Sequence, residues 1–275
     1  MQKHAAIFLT HIEDERIFRS FQRLQQQAGS LIDMHLCMND SAAPYRSKLA
    51  RHRHSATTDH DARDIMPVRV QQMVARGNGL IPGICDLAYV PAALSPSLAA
   101  YEYVWFIEYD VDFAGHWGTL FTSLHDSRAD LLTTTLYPKA ACPDWAHWLW
   151  LQTPSVLRDD QRIRCFAPIA RFSRRFLQVY VEAINSLAWR GHHEALYPTI
   201  AKHSGLTIED IGGSGPFTPP ERRTRHYLNN PGKDGELRSG TFVFQPVQQF
   251  SYFHEAASEF KLRDLLYHPI KFKDH

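Results

Sequence analysis

Residues 103–113 read Tyr-Val-Trp-Phe-Ile-Glu-Tyr-Asp-Val-Asp-Phe, an apolar run that passes directly into three alternating acids, Glu108, Asp110 and Asp112. The run has the composition of a buried strand, and unpaired carboxylates are costly to bury. Side chains two apart on a strand share a face. If the extended geometry continues through Asp112, all three carboxylates converge on one small volume, and a divalent cation relieves their repulsion. Oxygen ligands that leave coordination positions open suit Mn²⁺ or Mg²⁺ holding a phosphate. The alternative is a solvated strand end whose acids pair with some of the 30 Lys and Arg.

The segments before this strand set its context. Ala5–Thr10 is a short apolar strand. Asp14 can cap a helix in which Ile17, Phe21, Leu24 and Ala28 keep helical spacing and Gly29 is the stop. Leu31–Met38 alternates like a second strand. This β-α-β opening predicts a parallel sheet. Residues 41–64 are polar and basic and read as a loop, either solvated or meeting an anionic substrate. Pro67 opens a helix to Arg76, and Asp86–Val90 reads as a short strand.

Beyond the acids, a helix is expected over 116–125 and a strand over 130–137. Trp145, Trp148 and Trp150 follow, as packing or as stacking surfaces. A strand over 164–170 leads into a helix capped by Ser173, and another helix covers 193–203. Residues 212–240, rich in Gly, Pro and Arg, read as a long loop, a lid or disordered. Thr241–Gln245 reads as a last strand. No repeat or linker is evident, so the expectation is one α/β unit over 1–275, its sheet mixed but mostly parallel and flanked by helices. Within it, 1–115 would be a donor-binding half and 116–275 an elaborated acceptor-binding half.

Bulk properties narrow the function. A formal net charge of +1 gives no reason to expect nucleic acid as a partner. Four scattered cysteines show neither disulfide nor zinc spacing, which favours a reducing, cytoplasmic setting. No signal peptide or transmembrane segment is evident, and peripheral membrane contact stays open. HExxH, GxSxG and P-loop motifs are absent from the sequence.

The segment Trp105–Gly115, with Asp110-Val111-Asp112 at its centre, resembles the metal-binding stretch of GT-A glycosyltransferases. The resemblance is confined to the first strand, residues 103–121 and the tail. It implies a GT-A-like, Rossmann-related fold and transfer from a nucleotide-sugar donor to a hydroxyl acceptor in glycan or polysaccharide biosynthesis. By the same resemblance Asp112 binds the metal, Asp110 contacts ribose and metal, Thr10 and His11 lie beside the nucleotide, His268 adds a metal ligand and Lys271 faces the diphosphate. The tail lacks the fuller His-x-x-Gly-x-x-Lys-Pro pattern of some retaining families. An inverting reaction also needs a base, for which Glu194, beside His193, is the candidate. Asp112→Ala is expected to abolish transfer with little change in stability. Three alternatives remain: a haloacid-dehalogenase-like phosphohydrolase with Asp110 as nucleophile, a sugar nucleotidyltransferase, and a non-catalytic carbohydrate-binding protein.

Overall fold

The structure is a computed structural model that describes residues 4–39, 54–57, 59–75, 85–244 and 262–270. Strand β1 (His4–Thr10) is buried along its whole length, as its unbroken Ala-Ala-Ile-Phe-Leu run requires. Helix α1 (Glu15–Ala28) starts where the Asp14 carboxylate accepts from the Arg16 N–H and buries Ile17, Phe18, Phe21, Leu24 and Ala28 on one side. Gly29 ends it at φ 55°, a left-handed value natural to glycine. Strand β2 (Asp33–Asn39) returns parallel to β1, from Ala5 opposite Asp33 to Thr10 opposite Met38.

Next come β3 (His54–Thr57), α2 (Asp59–Ile65), α3 (Pro67–Ala75), α4 (Cys85–Ala93), β4 (Tyr103–Glu108) and β5 (Asp112–Phe113). They are followed by α5 (Trp117–Leu124), β6 (Leu131–Pro138), β7 (Ile163–Ser173), α6 (Arg174–Asn185) and α7 (His193–His203). Short strands β8 (Ile208–Asp210), β9 (Asn229–Pro231), β10 (Leu237–Gly240) and β11 (Leu266–Tyr267) complete the described strands. Seven strands form one sheet in the order β3-β2-β1-β4-β7-β6-β8. Only β7 runs against its neighbours; the other pairings are parallel. The fold is therefore the expected α/β arrangement, a mixed and mostly parallel sheet flanked by helices.

The two faces of the sheet bury different residues. Ile7, Val104 and Phe106 pack with side chains of α2, α3, α4, α6 and α7, whereas Phe8, Trp105 and Ile107 pack with α1 and α5. The chain lays β2 and β3 to one side of β1 and then returns to place β4 on the other. That reversal opens a crevice at the carboxyl ends of β1 and β4, the natural ligand site of such a sheet.

Four expectations are corrected. Part of the 41–64 stretch is ordered, with His54–Thr57 in β3 and Asp59–Ile65 in α2; residues 40–53 lie outside the described residues. Residues 86–90 are helical, in α4. Asp86–Ala93 is buried throughout, so this helix is apolar all round and carries no helical period in its sequence. The 212–240 stretch is folded against the core. The buried Asp210 carboxylate accepts from the Gly212 and Gly213 N–H groups and the Tyr227 hydroxyl, while buried Arg222 pairs with Glu209. The strand expected over 241–245 is reduced, among the described residues, to a bridge between Phe242 and His268; Gln245 lies outside them.

The one acid of α4, Asp86, is fully buried and accepts from Arg69 Nε at 3.1 Å and Tyr180 Oη at 3.1 Å. Arg69 also donates to the Gly191 carbonyl at 2.9 Å, tying α3 to the turn before α7. Removing the carboxylate strands a buried guanidinium. Asp86→Ala is expected to cost about 3–5 kcal/mol, read as a lowered urea midpoint at unchanged slope.

Candidate active site

β4 stops at Glu108. The Tyr109 N–H bonds the Leu9 carbonyl at 2.9 Å, and the Val111 N–H turns back to the Glu108 carbonyl at 3.0 Å. The chain then resumes as β5, paired antiparallel with β11, Phe113 opposite Leu266 and Asp112 opposite Tyr267. The expected convergence of all three acids through continued extension is thus corrected. Glu108 and Asp110 meet at the turn, and Asp112 lies past it.

Pairing with β11 brings the third member of the cluster from the far end of the chain. The Ile270 N–H bonds the Asp110 carbonyl at 2.8 Å, and the His268 N–H bonds the Thr241 carbonyl at 2.9 Å. The His268 ring packs edge-on against Phe166, centroids 5.1 Å apart. One oxygen each from Glu108 and Asp110 and one nitrogen of His268 lie within 4.8 Å of one another.

The hydrogen bonding of His268 defines what that cluster can hold. Its Nδ1 lies 2.7 Å from the Val243 carbonyl, which can only accept, so Nδ1 carries the proton. In the neutral ring Nε2 then presents a lone pair, 3.6 Å from Asp110 Oδ1 and beyond hydrogen-bond reach. A cation between this lone pair and the carboxylates would bond to both, while a ring protonated at both nitrogens would pair with Asp110 directly. An Nδ1–H bonded to a backbone carbonyl is also the usual support of a metal-binding histidine. Two ligand atoms on one ion, at bond lengths of about 2.1 Å, stand about 3–4 Å apart, which the 3.6 Å between His268 Nε2 and Asp110 Oδ1 meets. The donor set of two carboxylates and an imidazole fits Mn²⁺ well and Mg²⁺ less so, since Mg²⁺ favours oxygen alone.

Asp112 is engaged elsewhere. It pairs with Arg23 of α1, and its Oδ1 accepts from its own neighbour's N–H, that of Phe113, at 2.7 Å. Burial pushes its carboxyl above the ordinary value, against the pull of Arg23. Glu108 takes the position in the cluster that the sequence reading gave to Asp112. Thr10 spends its hydroxyl in a local turn, donating to the Ile12 carbonyl at 2.9 Å and accepting from the Ile12 N–H at 3.0 Å. His11 packs edge-on against Tyr109, centroids 5.4 Å apart, and so lies beside the acidic turn. Lys271 is outside the described residues.

Glu194 is held across β7 from this cluster. Thr133 of β6 pairs with Ala170 while Thr134 pairs with Phe166, so β7 bulges over 167–169, around Pro168. The bulge releases the Ala167 N–H from the ladder, and Glu194 Oε1 accepts it at 3.0 Å. Burial raises the Glu194 carboxyl to about 7, with Arg164 and the Ala167 N–H working the other way. Such a carboxyl is matched to proton transfer near neutral pH.

His192 caps α7, its Nδ1 accepting from the Glu194 N–H at 3.3 Å, and stands 3.8 Å from Glu194 Oε2. His147 stacks on His192 with centroids 4.1 Å apart. Burial lowers both rings below the ordinary histidine value, and His193 falls to about 4. The sequence reading missed Arg23, His192 and the bulge; Pro168 within an apolar run was the available signal for the last.

No family model and no curated protein matches the chain. Among solved structures it is similar to a putative glucose-1-phosphate thymidylyltransferase from Bacillus anthracis, in complex with sucrose. Identity is 9%, coverage 78% of this chain and 88% of that one, and the TM-score 0.41. It is also similar to the mannosyltransferase PcManGT from Pyrobaculum calidifontis in complex with GDP-Man and Mn²⁺, at 13% identity and TM-score 0.41. That alignment covers 80% of this chain and 55% of the mannosyltransferase chain. At these scores the likeness is one of broad layout.

Two outcomes follow from this geometry. Removing the Asp112 charge leaves Arg23 half-enclosed and the Phe113 N–H without its acceptor. Asp112→Ala is therefore expected to lower stability by about 1–3 kcal/mol, contrary to the sequence-based expectation of little change, with Tm as the readout. For Glu194, the folded chain keeps a proton between the ordinary carboxyl value and about 7 that the unfolded chain has lost. Stability attributable to this group therefore falls as pH rises through that window. Glu194→Gln is expected to raise Tm relative to the wild type at pH 8 and to lose that advantage at pH 4.

Proposed function

We propose that this chain is a metal-dependent glycosyltransferase that moves a sugar from a nucleotide-sugar donor to a hydroxyl acceptor, in glycan or polysaccharide synthesis. The observation that carries the reading is the meeting of Glu108, Asp110 and His268 at the crevice between β1 and β4, with Nε2 of His268 turned toward Asp110. These three residues would hold Mn²⁺ or Mg²⁺, which, when bound, offsets charge on the departing diphosphate. Thr10 and His11 would border the nucleotide, and Lys271 would face the diphosphate. Residues 1–115 would form the donor half and 116–275 the acceptor half, in a cytoplasmic enzyme.

Transfer breaks the bond between the anomeric carbon and the diphosphate oxygen and forms one to the acceptor oxygen. The acceptor hydroxyl must lose its proton. In the inverting form Glu194 is the group to take it, its carboxyl being raised to about 7 by burial. The backbone N–H of Ala167 fixes one Glu194 oxygen, and the other, near His192, would be the one to take the proton. In this inverting form the rate rises with pH through an apparent value near 7, and Glu194→Gln removes that rise.

The phosphohydrolase alternative needs an acid two residues after the nucleophile to act at the same centre. Asp112 is instead committed to Arg23 and the Phe113 N–H, which counts against it.

The test is sugar transfer from a panel of nucleotide sugars with Mn²⁺, followed by mass spectrometry of the products. Chelation is expected to stop transfer, and Asp110→Asn or His268→Ala to lower it on the order of a hundredfold or more. In the same panel Mn²⁺ should raise the wild-type Tm, and both variants should lose that shift. Undiminished transfer in chelator, or an unaltered Mn²⁺ shift in both variants, would defeat the assignment.

A further inference from the structure

Three consecutive threonines, Thr133, Thr134 and Thr135, lie in β6, and all three are fully buried. Thr135 has φ 56°, a left-handed value. For a β-branched residue that conformation is costly, and it persists only where the surroundings impose it. Residues held in this way concentrate at working sites.

The 210–229 segment imposes it. The Thr135 N–H donates to Tyr227 Oη at 2.6 Å, and the Leu136 N–H donates to Asp210 Oδ2 at 3.0 Å. Tyr227 in turn donates to Asp210, and Asn229 Nδ2 donates to Thr135 Oγ1 at 2.8 Å. Two successive backbone donors of β6 are thus taken by buried side chains. The pairing changes accordingly. Thr134 lies opposite Phe166 but Tyr137 lies opposite Arg164, so β6 carries one extra residue here.

This bulge in β6 adjoins the bulge of β7 at Pro168. The Thr134 hydroxyl donates to the Phe166 carbonyl, and the Thr133 hydroxyl donates to the Ile169 carbonyl at 3.0 Å. The Phe166 carbonyl belongs to the same peptide group as the Ala167 N–H, which Glu194 accepts at 3.0 Å. That peptide is therefore held at both ends, by Thr134 and by Glu194.

We propose that Thr135 is a positioning residue for Glu194: its left-handed backbone sets Thr134 against Phe166 and so orients the peptide that donates to the Glu194 carboxyl. The inference rests on the reading of Glu194 as the acceptor-side base and deepens it. A backbone role and a packing role predict opposite orders among variants. Glycine enters the left-handed region freely but loses the side-chain volume, whereas valine keeps the volume and disfavours that region. Both lose the hydroxyl that Asn229 meets, so that bond does not separate them.

The test is a pH titration of the Ala167 amide proton by NMR, in the wild type, Thr135→Gly and Thr135→Val. In the wild type this signal should move as Glu194 ionises at about pH 7. Thr135→Gly is expected to keep the response even where Tm falls. Thr135→Val should lose at least about half of its amplitude at little change in Tm, and should lower kcat on the order of tenfold. Valine matches threonine in shape, so this variant should fold. If the lost volume unfolds Thr135→Gly, Thr135→Asn takes its place, because Asn also enters the left-handed region. An undiminished amide response in Thr135→Val, or its loss in the glycine or asparagine variant, overturns the inference. A wild type that transfers no sugar defeats the proposed function alone, since the amide response reads the placement of Glu194 without turnover.

Discussion

The hydrogen bond from the Val111 N–H to the Glu108 carbonyl determines what this protein can do with its acids. It closes the turn that ends β4. Without it, three carboxylates would project along one strand and their repulsion would have to be met at a single point. With it, the charge is divided: Glu108 and Asp110 stay at the crevice, and Asp112 passes to Arg23 on α1. The turn also exposes the Asp110 carbonyl to the Ile270 N–H, fixing the tail that delivers His268. The candidate metal centre and its third ligand thus depend on the same few backbone bonds.

β7 organises the other half of the site. As the only antiparallel strand in the seven-stranded sheet, it enters at the edge where β1, β4 and β6 end. Its early residues therefore lie where the parallel strands present their carboxyl ends. Phe166 meets the His268 ring, and the next residue, Ala167, gives its N–H to Glu194. Pro168 prevents an unbroken ladder here, and the acidic side chain satisfies the donor so released.

Sequence alone reveals the parts of this fold that are locally determined. The β1-α1-β2 unit is legible because Asp14, the helical spacing of Ile17, Phe21 and Leu24, and Gly29 each act within a few residues. Helix α4 is not, because burial on all sides erases its period. Composition misleads over 212–240, where the glycines suggest mobility. Gly213 instead permits close approach of the Tyr227 ring, which a Cβ would obstruct, in a segment pinned by Asp210. The acidic strand shows the same limit. Its strand character and its acids are plain in the sequence, yet the bonds that hold the turn against the sheet and the tail, from Tyr109 to Leu9 and from Ile270 to Asp110, reach Leu9 and Ile270. Neither is near in sequence, so nothing local marks Glu108, and not Asp112, as the partner of Asp110.

The relation between the two chemical groups is a property of the sheet and not of its loops. His268 is packed on Phe166 and Glu194 is bonded to Ala167, consecutive residues of β7, of which Phe166 keeps its pairing with Thr134 and Ala167 opens the bulge. Both groups are thereby tied to one short stretch of backbone, which holds them better than free loops would. The cost is a buried carboxyl that keeps its proton up to about pH 7. A carboxyl so raised is suited to proton transfer near neutral pH, which is the property the proposed role of Glu194 would use.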